Sequence, residues 1–184
     1  MRTLRVPLPR RRRNALATAA LALAVAPLPT GSSPTGPIGT AAAAESSATA
    51  GSPVQARLYD QGTGKCLADP NSDTSNGTVL IQWTCSTSQS KYWTLEPVAG
   101  GYHVRNQASD RCLAIGSGSL AGGAKAIQWT CGSGKEQIWV HDDLDRLKNL
   151  NSSLCLAIPN TSTTGGTEAV QWTCSANEDQ QWLW

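Results

Sequence analysis

Six cysteines and seven tryptophans carry most of the chemistry open to this chain of 184 residues. Cys66, Cys112 and Cys155 are each followed 19 positions later by a second cysteine, at Cys85, Cys131 and Cys174, and 8 positions beyond that by Trp93, Trp139 and Trp182. A further tryptophan stands two before each second cysteine (Trp83, Trp129, Trp172), and a glycine stands 8 before it (Gly77, Gly123, Gly166). Thiols in such numbers either bind zinc or pair with one another. There is no Cys-x-x-Cys, and only His103 and His141 could supplement the sulfurs, so a zinc site is disfavoured and no metal ligand is nominated. Disulfides suit an exported chain. Equivalent units should be stapled in equivalent ways, which predicts Cys66–Cys85, Cys112–Cys131 and Cys155–Cys174, each closing a similar loop and worth roughly 3 kcal/mol in the chain-entropy view.

A second cluster, His141-Asp142-Asp143-Leu144-Asp145, sets three carboxylates beside an imidazole. Such a group can bind a cation or act as acid and base, but at a junction between repeats it reads better as a solvated turn. No Gly-x-Ser-x-Gly, His-Glu-x-x-His or phosphate-cradling glycine loop accompanies it. No catalytic residue and no cofactor are therefore expected. Asn76-Gly77-Thr78, Asn151-Ser152-Ser153 and Asn160-Thr161-Ser162 match the N-glycosylation sequon, as chance allows in loops rich in Asn, Ser and Thr.

The chain falls into three stretches. Residues 1–44 hold Arg2, Arg5 and Arg10 to Arg13 without any acid, then an apolar run from Ala15 to Pro27 and small residues ending at Ala44. That is the layout of a secretory signal peptide, and the run is shorter than the roughly 20 residues a membrane span needs. Residues 45–53 are small and polar and read as a linker. Six of the 15 Lys and Arg precede residue 45 and none of the 13 Asp and Glu do, so the remainder holds 9 bases against 13 acids. Without a basic patch, neither nucleic acid nor anionic lipid is an expected partner. An extracellular monomer is expected.

Residues 54–184 contain short apolar runs separated by Gly, Ser, Thr and Asn, with no sustained helical period. In the first unit Val54–Tyr59, Lys65–Ala68, Val79–Trp83 and Trp93–Pro97 read as strands, with a turn over Gln61–Gly64 and loops over Pro70–Gly77 and Ser86–Ser90. The same layout recurs over about 54–98, 99–142 and 143–184, with Val104 and Leu147 aligned with Leu58. About a dozen strands in three units of some 45 residues fit an all-β repeat fold. One unit is too small to bury a core alone, so three should pool their apolar faces and close the sheet to remove its edges. Leu67, Leu113, Leu156, Trp93, Trp139 and Trp182 are the expected core.

The paired cysteines, the tryptophan before each second cysteine, and Gln137-Ile138-Trp139 and Gln180-Gln181-Trp182 closing two of the units resemble the Q-x-W repeats of ricin B-type lectins and of family 13 carbohydrate-binding modules. The first unit has Lys91-Tyr92-Trp93 instead. The resemblance covers 54–184 and implies a β-trefoil of three four-stranded repeats, with up to one shallow sugar site in each and no catalysis. In that family an Asp two after the first cysteine accepts sugar hydroxyls, an aromatic two before the second cysteine stacks on the sugar, and polar groups at or before the Q-x-W glutamine complete the contacts. Carried onto this chain, the stacking residues are Trp83, Trp129 and Trp172, and the polar positions are Ser90 and Lys91, Glu136 and Gln137, Asp179 and Gln180. The Asp position holds Ala68, Ala114 and Ala157, and only the first repeat has a neighbouring carboxylate, Asp69. The nominated carbohydrate-binding residues are Asp69, Trp83, Lys91, Trp129, Gln137, Trp172, Asp179 and Gln180. Gln137 and Gln180 also have a structural reading, as residues that bond backbone within their own repeat, and Asp69 one as the opener of a turn.

Strand phase leaves the stacking residues with two placements. Gln82, Gln128 and Gln171 come one before the tryptophan, so they point to the opposite side. Either the tryptophans pack inward, or they face solvent and the glutamines are buried and need partners. Loss of sugar binding on a retained scaffold is the alternative function, and a hydrolase built on His141–Asp145 a remote one.

Overall fold

A computed structural model describes residues 54–184; the expected signal segment (1–44) and linker (45–53) lie outside the described residues. The first repeat supplies β1 (Val54–Arg57), β2 (Tyr59–Asp60), β3 (Cys66–Ala68), β4 (Ile81–Trp83) and β5 (Tyr92–Val98). The second supplies β6 (Gly101–Asn106), β7 (Cys112–Ile115), β8 (Ala126–Trp129) and β9 (Trp139–His141), and the third β10 (Leu147–Asn149), β11 (Cys155–Ala157), β12 (Val170–Trp172) and β13 (Trp182–Leu183). The expected strand Val54–Tyr59 is interrupted at Leu58, whose side chain turns into the core. Val79 and Leu80 leave the expected strand Val79–Trp83 because they pair with the neighbouring repeat instead.

Antiparallel pairing runs β1–β5–β6–β9–β10, and β13 pairs with β2. A bridge between Arg146 and Gln181 joins the two ends. The result is a closed barrel, which leaves no open sheet edge on that layer. Three hairpins, β3–β4, β7–β8 and β11–β12, cap one end. They are tied in a ring: Leu80 N–H donates to Ala126 O (2.9 Å), Ala126 N–H to Ala169 O (3.0 Å), and Ala169 N–H to Leu80 O (2.9 Å). This is a β-trefoil with pseudo-threefold symmetry.

The core lies on that axis. Leu58, Val104 and Leu147, Leu67, Leu113 and Leu156, and Trp93, Trp139 and Trp182 are all fully buried. A buried indole N–H needs an acceptor, and all three find the same one. Trp93 Nε1 donates to Leu67 O (3.1 Å), Trp139 Nε1 to Leu113 O (2.9 Å) and Trp182 Nε1 to Leu156 O (3.0 Å). The three disulfides join Cys66–Cys85, Cys112–Cys131 and Cys155–Cys174, one within each repeat.

The symmetry is broken at two buried carboxyls, both in the first repeat. Asn106 Nδ2 donates to Ser90 O (3.0 Å) and Asn149 Nδ2 to Glu136 O (2.9 Å), each reaching into the preceding repeat. The equivalent residue in the first repeat is Asp60, for which the equivalent carbonyl is that of Asp179. A carboxylate cannot donate there, and Asp60 Oδ2 is sealed without a partner. Burial pushes Asp60 up to about 6, opposed by hydrogen bonds from Thr63 and reinforced by the charge of Asp179. Asp69 stands where Ile115 and Ile158 join the core. Both its oxygens are sealed and unpartnered, and burial, with a smaller contribution from the charge of Asp73, pushes it up to about 7.

Two outcomes follow from this packing. Trp139→Ala should cost about 3–5 kcal/mol, read as a lower denaturant midpoint of the oxidised protein at unchanged disulfide content. Because the folded values of Asp60 and Asp69 are raised from 3.8 to about 6 and about 7, their contribution is complete below 3.8 and is lost as pH rises through those values. The melting temperature should therefore fall between about pH 4 and pH 7 and level off above that. In the double variant Asp60→Asn, Asp69→Ile that slope should flatten and the melting temperature at pH 8 should rise; an unchanged slope contradicts the assignment.

Candidate functional site

In each cap hairpin the next-to-last residue of the second strand is a buried glutamine, opposite a core leucine: Gln82 faces Leu67, Gln128 faces Leu113 and Gln171 faces Leu156. A buried amide is costly unless its donors and acceptor are met. Here the donors are met by the preceding repeat. Gln82 Nε2 donates to Ser162 O (2.6 Å) and Thr164 O (2.9 Å), Gln128 Nε2 to Asp73 O (2.7 Å) and Ser75 O (3.0 Å), and Gln171 Nε2 to Ser119 O (2.8 Å) and Ala121 O (2.9 Å). The Oε1 of Gln82 accepts from Thr63 Oγ1 (2.9 Å), and that of Gln171 from Ser152 Oγ (2.6 Å). In the second repeat Gln128 Oε1 and Ser109 Oγ, at the corresponding positions, are both unpartnered.

With the glutamines turned in, strand alternation turns the next residue out. Trp83, Trp129 and Trp172 are 48%, 45% and 52% exposed, so the inward-packing placement is excluded. Each indole rests on the glycine turn of the preceding repeat. A methyl group on Gly77 would lie 3.6 Å from Trp129, one on Gly123 3.2 Å from Trp172, and one on Gly166 3.5 Å from Trp83. These glycines have φ of +86°, +83° and +89°, a region that a side chain strains. The recurring glycine thus serves the tryptophan of the next repeat rather than that of its own, a role its spacing marks but does not explain.

Each exposed tryptophan borders a cavity. In the first repeat the cavity, about 270 Å³, is lined by Ala68, Asp69, Trp83, Ser88, Ser90 and Lys91. In the second, about 580 Å³, the lining includes Gly77, Ala114, Trp129, Glu136 and Gln137. In the third, about 550 Å³, it includes Ala157, Asn160, Trp172, Asp179 and Gln180. All eight nominated residues therefore border the three cavities.

Their chemistry divides them. Gln137 accepts from Gly132 N–H (2.9 Å) and donates to Thr130 O (3.2 Å); Gln180 accepts from Ser175 N–H (2.8 Å) and donates to Thr173 O (3.0 Å). Their carboxamides shape the loop after the disulfide, in line with the structural reading, and are occupied before any ligand arrives. The nomination of Asp69 needs correction. Its carboxyl oxygens are sealed because its side chain follows the inward phase of Ile115 and Ile158, so it backs the cavity without offering an acceptor to it. The half-buried carboxylates of Glu136 and Asp179, at matching positions, line the cavities of repeats two and three, Asp179 with one oxygen, Oδ1, sealed and unpartnered. Burial raises Asp179, against backbone N–H groups that lower it. Glu136, one of the polar positions but not among the nominated residues, matches Asp179: each stands 24 residues after the first cysteine of its repeat.

The His141–Asp145 stretch is the hairpin turn between β9 and β10. Asp142 accepts from Leu144 N–H (3.0 Å), Arg146 N–H (3.1 Å) and Arg146 Nε (2.8 Å) and pairs with Arg146 (2.7 Å). The His141 ring lies 4.0 Å from that of Trp184. Among the described residues no group of three or more His, Cys, Asp and Glu is placed to hold a metal.

Comparison with known proteins places this geometry. The family model of the ricin-type beta-trefoil lectin domain matches residues 54–182. No curated protein sequence gives a significant match. Among solved structures, the designed threefold-symmetric protein ThreeFoil superposes with a TM-score of 0.68 at 29% identity, over 70% of this chain and 95% of that one. An exo-beta-1,3-galactanase from Clostridium thermocellum superposes with a TM-score of 0.66 at 27% identity, over 70% of this chain but only 29% of the enzyme. The agglutinin from Abrus precatorius gives 0.62 at 21% identity, over 71% of this chain and 48% of that one, a likeness of fold. By its repeats, its trefoil and its match over residues 54–182, the chain belongs to the family of ricin-type β-trefoil lectin domains.

Proposed function

We propose that the protein is exported and binds carbohydrate without catalysis, through one shallow site per repeat. The observation that carries this reading is the threefold recurrence of a half-exposed tryptophan fixed on a glycine turn beside a cavity. A pyranose offers an apolar C–H face to such a ring and a rim of hydroxyls to carboxylates and hydroxyls. A rigid indole also stacks with little loss of side-chain freedom. Family membership and the agglutinin neighbour support the same class of ligand. The basic and apolar segment before residue 45 supports export, and the occupied turn at His141–Asp145 gives no support to a hydrolase. Shallow sites bind weakly one at a time, so useful affinity comes from several repeats meeting one polymer.

One observation favours a second reading, a trefoil that keeps the scaffold for protein contacts. Ala68, Ala114 and Ala157 remove the family's acceptor in all three repeats, and sealed Asp69 does not replace it.

Binding of the oxidised protein to a panel of immobilised polysaccharides decides between them. Retention on at least one polysaccharide is expected, with Trp83→Ala, Trp129→Ala and Trp172→Ala each weakening it and the triple variant losing it. Because these rings are exposed, the variants should unfold at nearly the wild-type temperature. A folded wild type retained by no polysaccharide rejects the carbohydrate reading and leaves the protein-contact one.

A further inference from the structure

The three cavities are built alike but charged differently, and the difference lies in one residue. At the Q-x-W position, repeats two and three have Gln137 and Gln180, whose carboxamides are closed onto their own loops. Repeat one has Lys91. A lysine can donate but cannot accept from the loop N–H, so it cannot make the two-ended contact. The Lys91 side chain makes no hydrogen bond or ion pair among the described residues, although the residue is only 8% exposed and lines the cavity beside Trp83. Its Nζ is not among the sealed polar atoms, so the ammonium stays open to a partner, and an anion in the cavity that Lys91 lines would supply one.

The rest of the lining agrees. Where repeats two and three present Glu136 and Asp179 to their cavities, the corresponding residue of repeat one is the neutral Ser90. Ser90 and Ser88 stand 2.9 Å apart through their hydroxyls, and both line the cavity, so both can turn to donate to an anionic oxygen. Asp69 is the one acid on the lining, and its oxygens face inward and are sealed. Its burial holds it near neutral in mildly acidic solution. The volume, about 270 Å³ against about 580 and 550 Å³, suits a single ring rather than a branched one.

We infer that the repeat-one cavity takes an anionic sugar residue, one bearing a carboxylate or a sulfate. Its ring lies on Trp83, and its charged group meets Lys91 Nζ with the hydroxyls of Ser88 and Ser90. Repeats two and three, with Glu136 and Asp179 at the mouth, take neutral sugars and repel charged ones. This rests on the carbohydrate reading above and adds a division of labour to it: one repeat for an acidic residue, two for neutral residues of the same or a neighbouring chain.

The test uses the full oxidised chain carrying Trp129→Ala and Trp172→Ala, so that repeat one is read alone, beside the wild type. The probes are a galacturonic acid trisaccharide, a sulfated galactose trisaccharide and the uncharged galactose trisaccharide, titrated calorimetrically at low and high salt. In the double variant at least one charged probe should bind about tenfold more tightly than the neutral one, the size of effect that one charge-assisted contact supplies. The preference should weaken at high salt and vanish in Lys91→Gln, which installs the residue that repeats two and three carry. Whichever charged probe binds more tightly identifies the group. Equal binding of charged and neutral probes by the double variant, or a charged preference that survives Lys91→Gln, overturns the inference while leaving the carbohydrate reading intact. A wild type that binds none of the probes and no polysaccharide overturns both.

Discussion

A buried glutamine, used three times, is the interaction on which the rest of the structure depends. Gln82, Gln128 and Gln171 each sit inside their own hairpin and bond to two carbonyls of the preceding repeat's loop. The pairing is cyclic, so no repeat can satisfy the donors of its own amide and all three must be present at once. It also fixes strand phase. A slip of one residue in β4, β8 or β12 would bury a tryptophan in space shaped for an amide and leave the amide in water. Since the glutamine must point in, the tryptophan must point out, and the loop that the glutamine holds brings its glycine beneath the next repeat's indole. Stability and surface chemistry thus come from one contact.

The remaining interactions repeat that logic at other depths of the molecule. On the axis, three indoles bond to three leucine carbonyls. At the cap, three backbone N–H groups close a ring. At the rim, each disulfide fastens the loop that follows its hairpin to the first strand of the same hairpin, which limits how far the tryptophan two residues before the second cysteine can stray. Against this regularity the first repeat stands apart. Asp60 replaces an asparagine at the seam with the third repeat, Asp69 replaces a core isoleucine, and Lys91 replaces a loop-closing glutamine. Each substitution puts an ionisable group where its counterparts are neutral, and each leaves polar atoms without protein partners. The two carboxyls make the scaffold sensitive to pH; the lysine gives one cavity a charge of its own.

Much of this was legible in the sequence because it depends on spacing. Equal offsets between cysteines implied equal bridges, and the leucines and tryptophans aligned with them proved to be the core. What spacing could not decide was direction. An aliphatic residue followed by Gln-Trp permits either face to be buried, and only the carbonyls of a distant loop settle it, for Gln128 those lying 55 and 53 residues away in the sequence. Asp69 misled for a related reason: its position in the chain is next to the expected acceptor, yet one residue along a strand is the opposite face. The roles of Gln137 and Gln180 turn on backbone groups five and seven residues away, whose positions are set by the disulfide loop and not by any side-chain pattern.

The most direct measurement is the set of seven indole N–H resonances of the uniformly labelled, oxidised protein, followed by nuclear magnetic resonance as a polysaccharide fragment that the protein retains is added. Trp93, Trp139 and Trp182, whose N–H groups are bonded inside, should keep their positions and exchange slowly with solvent. Trp83, Trp129 and Trp172 should exchange fast, and those in binding repeats should move on titration. Shifts confined to the inner three, or slow exchange of all six, would contradict an outward-facing tryptophan in each repeat and the sugar sites built on it.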